Sequence, residues 1–313
     1  MTAQHAEGSS ASGRPEHHGA PVDGRLALPG AGTDAGRCPR RLAAHLPGCL
    51  ASVLIAMAPM PARGQSPDTV AIGACRLETV GSATVSGIED ARTFRLADGR
   101  VARLAGIEVA TAAEIAERAK HELESALVGE PVTLRRIGSD SDRYGRLLVH
   151  MFAVKDGAER WIQSELLSRG QALVGTRVGD RGCAAELLAR ERAARDVKLG
   201  LWTEPSYVMK RAENAASIAA DDGRFAIVEG KVLSVRESSG TLYVNFGRRW
   251  SQDFAVIISK RNERSFAAGG LEPRQLEGRM VRVRGWVELR SGPAIEAMRP
   301  EQIEILDTRQ KGM

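Results

Sequence analysis

The most restrictive feature of the chain is the dipeptide Asp98-Gly99, set between two stretches of strand-forming residues, Thr93 to Leu96 and Val101 to Ile107. A connection of this kind favours the tight turn of a two-residue hairpin, so the flanking stretches are expected to pair as antiparallel strands. Ala83 to Glu89 reads as the strand before them. Apolar residues then recur every four positions at Ile115, Ala119, Leu123 and Leu127, which predicts a helix ended by Gly129. A second hairpin follows, from Pro131 to Ile137 and back from Arg146 to Val154, with the polar connector Gly138 to Gly145. Trp161 to Ser168 suggests a short helix stopped by Gly170, and Cys183 to Asp196 a longer one closing at Gly200-Leu201-Trp202. This order is α+β: an OB-type five-stranded barrel capped by helices.

Residues 204–223 are polar and lack a strand pattern, so they read as a linker with room for a helical turn. A second all-β pattern occupies residues 224–306. Phe225 to Val235, Thr241 to Phe246 and Phe254 to Ser259 read as strands, Glu263 to Leu276 as a helical insert, and Met280 to Leu289 and Ile303 to Leu306 as further strands. A long first strand, two more, a helix and then further strands is the order of a second, smaller OB-like barrel, with residues 307–313 as a tail.

With 313 residues and 43% hydrophobic content, the chain has material for about two domains with real cores. Only 4% of the residues are aromatic, so a binding surface must lean on arginine more than on stacking platforms. Residues 66–203 carry 20 basic and 20 acidic side chains, whereas residues 224–304 carry 14 basic and 10 acidic ones, so the net positive charge resides in the second segment. That balance permits a nucleic acid or anionic partner, and equally a solvated basic face.

Residues 1–40 are rich in Gly, Ala, Ser, Pro and His and read as disorder or an over-extended start of the gene. Arg37, Arg40 and Arg41 then precede an apolar stretch from Leu42 to Met57 and small residues up to Gly64, so residues 41–65 read as a secretory signal peptide. Export to the periplasm or the medium is the resulting expectation, without stable membrane insertion. Cleavage there leaves Cys75 and Cys183, 108 positions apart, and an exported protein with two cysteines invites a disulfide. A pair of buried free thiols is the alternative.

Four motifs carry a family resemblance. They are the run from Asp90-Ala91-Arg92-Thr93 to Gly106-Ile107; Asp142-Arg143-Tyr144-Gly145-Arg146; Trp161-Ile162-Gln163 with Leu166, Leu167 and Gly170; and Cys183 through Glu191 to Gly200-Leu201-Trp202. In this order residues 66–203 resemble a staphylococcal nuclease (thermonuclease) domain. The resemblance implies an OB barrel with helices and cleavage of DNA or RNA by a calcium ion on acidic ligands, a glutamate base and two phosphate-clamping arginines. Cations are needed because an oxygen must attack a phosphodiester that is already negative, and guanidinium groups match paired phosphate oxygens.

Carried over position by position, Arg103 and Arg146 match the phosphate clamp, Asp90 and Glu108 are what remains of the metal ligands, and Tyr144 lies in the substrate-facing motif. The family's Asp-Gly-Asp-Thr is here Asp90-Ala91-Arg92-Thr93, and its Asp-Thr-Pro-Glu is Glu108-Val109-Ala110-Thr111. A calcium ligand has become Arg92, which repels a cation, and the general base has become Thr111, which cannot hold a proton at neutral pH. Glu114, three positions on, is the substitute base if hydrolysis persists, with calcium as cofactor in that case and none otherwise.

In the second segment Tyr243, Phe246, Arg248, Arg249 and Trp250 cluster, with Arg249 and Trp250 as candidate substrate contacts. The alternation of Val281, Val283 and Gly285 puts Arg282, Arg284 and Trp286 on one face, either binding or solvated. The expected function is a thermonuclease-like pseudoenzyme that binds nucleic acid, single- or double-stranded, or another polyanion with weak or no hydrolysis. An active phosphodiesterase with a rearranged base and an envelope interaction module are the alternatives.

Overall fold

The computed structural model describes residues 69–138, 141–179, 181–207 and 209–306. The expected signal segment and leading residues lie outside them. The described residues form a mixed α+β structure with several sheets and five α-helices.

The first part contains β1 (Thr69–Ile72), β2 (Cys75–Asp90), β3 (Thr93–Leu96), β4 (Val101–Leu104), β5 (Ile107–Val109), α1 (Ala113–Leu127), β6 (Pro131–Arg136), β7 (Leu147–Lys155), β8 (Ala158–Trp161), α2 (Ile162–Ser168), β9 (Ala172–Val174) and α3 (Arg181–Asp196). The hairpin forms, but through three residues and not two: the Leu96 amide donates to the Arg100 carbonyl at 2.9 Å and the Gly99 amide to the Leu96 carbonyl at 3.0 Å, so Ala97, Asp98 and Gly99 make the connection, with Gly99 alone of the three at positive φ, 86°. Strand β2 is longer than its apolar alternation shows, because it serves three neighbours. Its first residues pair with β1, its middle with β6 and its C-terminal part with β3, the last two across shifts in register. β3 pairs antiparallel with β4, β4 runs parallel to β7, and β7 pairs antiparallel with β6, so the pairings return to β2.

Helix α1 lies between β4 and β6 in the chain and buries Ile115, Ala119, Leu123 and Leu127, the four residues of the four-residue repeat. Their burial against the strands, rather than intrinsic propensity, holds the helix. Phe94, Leu104, Leu134, Met151, Leu167 and Leu187 centre the surrounding core. A disulfide joins Cys75 in β2 to Cys183 in α3, with both cysteines fully buried.

After a 3-10 turn at Gly200–Thr203 the connector is not featureless. It holds another 3-10 turn at Pro205–Tyr207, the short strand β10 (Lys210–Arg211) and α4 (Ala215–Ala219), which Asn214 caps by accepting from the Ser217 amide at 3.1 Å. The last part contains β11 (Phe225–Lys231), β12 (Ser234–Ser238), β13 (Thr241–Asn245), β14 (Ala255–Ser259), α5 (Lys260–Ala268), β15 (Met280–Leu289), β16 (Pro293–Glu296) and β17 (Ile303–Ile305). β16 has no counterpart in the sequence reading, since four residues opened by a proline carry too short a pattern.

The second set of pairings repeats the first. β12 pairs with β13, β13 with β14, β14 runs parallel to β16, β16 pairs with β15, and β15 with β11, which leads back into β12. In both sets a helix falls between the third strand and the fourth, and the parallel pair joins the third strand to the fifth.

The two parts meet through an apolar cluster, in which Ala110, Ile115, Leu173 and Leu201 pack with Ile227 of β11. They also meet through a buried ion network. Arg284 of β15 is fully buried, donates to both carboxylate oxygens of Glu191 in α3 at 2.8 and 3.1 Å, and reaches Glu304 at 2.6 Å. Glu191 in turn accepts from the Val174 amide at 2.6 Å. The face carrying Arg282 and Arg284 is therefore neither a ligand surface nor a solvated one: it is the seam against α3, and only Trp286 reaches solvent, edge-on to Phe225. Among the described residues no helix is long and apolar enough to cross a membrane.

Candidate functional site

Four short segments of the first part meet at one place: the turn between β2 and β3, the outer side of β4, the strand β5, and the start of β7. In the turn, Asp90 folds back on its own chain, accepting from the Arg92 amide at 2.7 Å and from the Thr93 hydroxyl at 3.1 Å. The Thr93 hydroxyl also accepts from Nη1 of Arg103 at 3.2 Å. Asp90, Thr93 and Arg103 thus form one relay, with both Asp90 oxygens already engaged by the protein.

Arg92 decides the character of the site. Its guanidinium donates through Nη1 to the Ile107 carbonyl at 2.7 Å and to the Glu108 carboxylate. Both side chains are mostly buried, at 14% and 18% exposure. Burial pushes the Glu108 carboxyl above the usual carboxylate range, while the adjacent guanidinium pulls it back. The carboxylate and carbonyl oxygens that would be the hard ligands of a calcium ion are held by a fixed cation. Calcium needs six to eight oxygen ligands, and the Asp90–Arg92–Glu108 set does not supply a place for it. Among the described residues no group of three acidic, histidine or cysteine side chains is arranged to hold a metal ion.

Arg103 lies in β4, and Arg146 stands just ahead of β7, the strand beside it. Ala102 and Leu104 of β4 pair with Leu147 and Val149 of β7 and face the core, so Arg103 and Arg146, at alternating positions, share the opposite side. Arg103 makes no ion pair among the described residues. Arg146 does: Nε donates to Asp142 at 2.7 Å and Nη2 lies 2.6 Å from the same oxygen. Burial would raise the Asp142 carboxyl, but the bonds from Arg146 and from the Tyr144 and Arg146 amides outweigh it and hold the group below its usual value. The ring of Tyr144 is exposed, with the guanidiniums of Arg143 and Arg146 at 4.7 and 5.1 Å from its centre.

Thr111, at the position where the family resemblance implies the general base, is also engaged by the protein. The hydroxyl of Tyr207, from the 3-10 turn of the connector, lies 2.8 Å from the Thr111 hydroxyl and accepts from the amides of Thr111 and Ala112 just ahead of α1. Helix α1 has no side-chain cap of its own, so Tyr207 satisfies amides that would otherwise lack a partner. Sequence reading missed Tyr207, because nothing in residues 204–223 marks one tyrosine as reaching 96 positions back along the chain. Glu114 lies exposed in the first turn of α1 and, among the described residues, makes no ion pair or hydrogen bond with Arg92, Arg103 or Glu108.

Residues 90–204 match the family model described as staphylococcal nuclease homologue. The chain carries a staphylococcal nuclease homologue domain. No curated protein matches the chain. The domain match ends at the connector, so it contains the whole Asp90–Arg92–Arg103–Glu108 cluster and stops short of Tyr207 and the second set of strands.

The remaining polar candidates lie elsewhere. His150 is buried in the nuclease domain, with Nε2 3.3 Å from the Val178 carbonyl, and the pKa of its ring is pushed down to about 4 by burial, a hydrogen bond from the ring to that carbonyl only partly opposing. It is a packing residue, stacked edge-on to Trp161. Arg249 pairs with Asp253 at 3.2 Å, Phe246 belongs to the core, and Trp250 is exposed.

Proposed function

We propose that the nuclease domain binds nucleic acid or another polyanion through Arg103, with Arg146 as the second arm of the clamp, and hydrolyses it weakly or not at all. The observation that carries this reading is the Arg92 guanidinium seated on Glu108 and the Ile107 carbonyl. A divalent ion would have to displace a buried cation, and a water molecule has no free carboxylate beside it to take its proton. A phosphate needs neither group: it needs donors, and Arg103 offers a guanidinium that no carboxylate neutralises. Arg146 can join only by sharing itself between phosphate and Asp142, so its contribution is the smaller.

In this reading the ring β2–β3–β4–β7–β6 is the OB-type barrel of the family, and the second ring, with the same pairing order and helix position, is a smaller OB-like barrel. The buried Cys75–Cys183 disulfide supports an oxidising compartment, hence export to the periplasm or the medium. The rival reading, a phosphodiesterase with Glu114 as base, draws on one observation: Glu114 is exposed in the first turn of α1, three residues past Thr111.

The test combines retention and turnover. Labelled single- and double-stranded DNA are incubated with the chain at low salt, with and without calcium. The expected result is retention without cleavage, weakened by Arg103→Ala with a salt slope shallower by about 1. Arg146→Ala should weaken it less. Calcium-dependent cleavage that is lost in Glu114→Gln would establish the phosphodiesterase instead, and absence of retention at low salt would favour an interaction module.

A further inference from the structure

A groove of about 970 Å³ lies on the second set of strands, far from the nuclease motif in sequence and at the upper end of the size of small-ligand sites. Its floor follows from the strand register. Ser234 of β12, Asn245 of β13, Ala255 of β14 and Ala294 of β16 stand side by side, and their short side chains leave a trough across four strands. The next row deepens the contrast, with Arg236 beside Tyr243 and Tyr243 beside Ile257.

Two features of the rim select a ligand. Trp250, in the loop between β13 and β14, is 73% exposed and lines the groove, although burying an indole normally stabilises a protein. Arg236 and Arg248 also line it, and neither makes an ion pair or side-chain hydrogen bond among the described residues. The other charged groups of the groove are occupied. Asp253 accepts from the Arg249 amide at 2.8 Å, Glu277 from the Val235 amide at 3.2 Å, and Arg290 bridges Glu288 and Glu296 at 3.0 and 3.1 Å. What the groove leaves available is therefore two cations and flat aromatic surface.

We propose that this groove is a docking site for single-stranded nucleic acid, with bases laid against Trp250 and Tyr243 and phosphates held by Arg236 and Arg248. Unstacked bases present the faces that an indole can cover, and a duplex keeps those faces inside. The site goes beyond the phosphate site of the nuclease domain and does not depend on it, since no residue is shared.

The experiment is fluorescence anisotropy of the full chain with a labelled oligothymidylate or oligouridylate of about 12 nucleotides, within the span of single-strand sites on barrels of this size. Trp250 is exposed, so its variants leave the fold intact. Trp250→Ala is expected to weaken binding about 10-fold or more, Trp250→Phe to restore most of it, and Arg236→Ala/Arg248→Ala to weaken it about 10-fold and flatten the salt dependence. A duplex of the same length should be indifferent to Trp250. Arg103→Ala/Arg146→Ala should leave the Trp250 effect in place, which separates failure of this site from failure of the nuclease-domain site. Equal affinity of wild type and Trp250→Ala for the single strands would overturn the proposal. So would displacement of the oligonucleotide by polyphosphate equally well from both proteins, or tighter competition by polyglutamate than by unlabelled oligonucleotide.

Discussion

The two sets of strands share one pairing order, and the arginines at their candidate sites differ in how far they are already paired. In the first set Arg92 is held by Glu108 and Arg146 by Asp142, so of Arg92, Arg103 and Arg146 two already have carboxylate partners. In the second, Arg236 and Arg248 project into an open groove whose carboxylates are satisfied by other donors. A scaffold of this kind therefore does not specify a ligand; the internal pairing of its charges does. An arginine bound to its own protein must exchange one partner for another on binding, and a free one exchanges only water.

The rings also differ in how they are held, which gives the largest effects to test. The first is clamped by Cys75–Cys183 across a separation of 108 residues, and no such bridge ties the second among the described residues. Cys75→Ala/Cys183→Ala should lower stability by about 4 to 5 kcal/mol on the chain-entropy scale, read from urea unfolding. A loss confined to a few tenths would mean that the denatured chain is compact enough to make the bridge redundant.

Next comes the seam between the rings. Arg284→Met removes the two-pronged cation from the buried Glu191, which keeps only Arg195 at 3.2 Å as a charged partner, and should cost up to about 3 kcal/mol. Glu191→Leu in the same chain should recover most of that loss, since a buried ion pair adds little over apolar side chains of similar volume. Tryptophan fluorescence gives a second readout. Trp161 belongs to the first ring and Trp286 to the second, and a single unfolding transition in the parent should divide in Arg284→Met if the seam is what couples them.

Burial of His150 makes the first set of strands sensitive to acid. Its ring protonates at its usual 6.5 when unfolded and at about 4 when folded, so between these values the unfolded chain binds more protons. Its contribution is complete above about pH 6.5 and is lost as the pH falls towards 4, a total of about 3 kcal/mol by linkage. The stability of the parent relative to His150→Gln should fall by about 3 kcal/mol as the pH drops from 6.5 to 4; parallel curves would show that His150 is not the titrating group. The smallest effect is Tyr207→Phe, which removes the acceptor for the Thr111 and Ala112 amides and should cost about 1 kcal/mol.

Much of the fold was legible because its elements are locally encoded. The Asp98-Gly99 turn, the four-residue repeat of α1 and the alternation within β15 each specify a structure from a few adjacent residues. The candidate site was legible through its motif, including the exchange of an acidic residue for Arg92. What escaped was the pairing of groups far apart in the chain. Arg284 and Glu191 are 93 positions apart, and the alternation that put Arg284 on one face of β15 could not say that α3 covers that face. One signal was present: Glu191 interrupts the stripe of Cys183, Ala184, Leu187 and Ala194 that α3 buries, and a charge on a buried stripe demands a partner. Tyr207 left no such trace, because a surface tyrosine in a polar connector looks the same whether or not it caps a helix.

The central claim, that a guanidinium stands where the family holds its metal, is tested most directly by titrating calcium into the chain and into Arg92→Asp in a calorimeter. The account predicts no binding heat for the unmodified chain and a measurable site in Arg92→Asp, lost again when Glu108→Gln is added. Calcium binding by the unmodified chain that disappears in Glu108→Gln would contradict it.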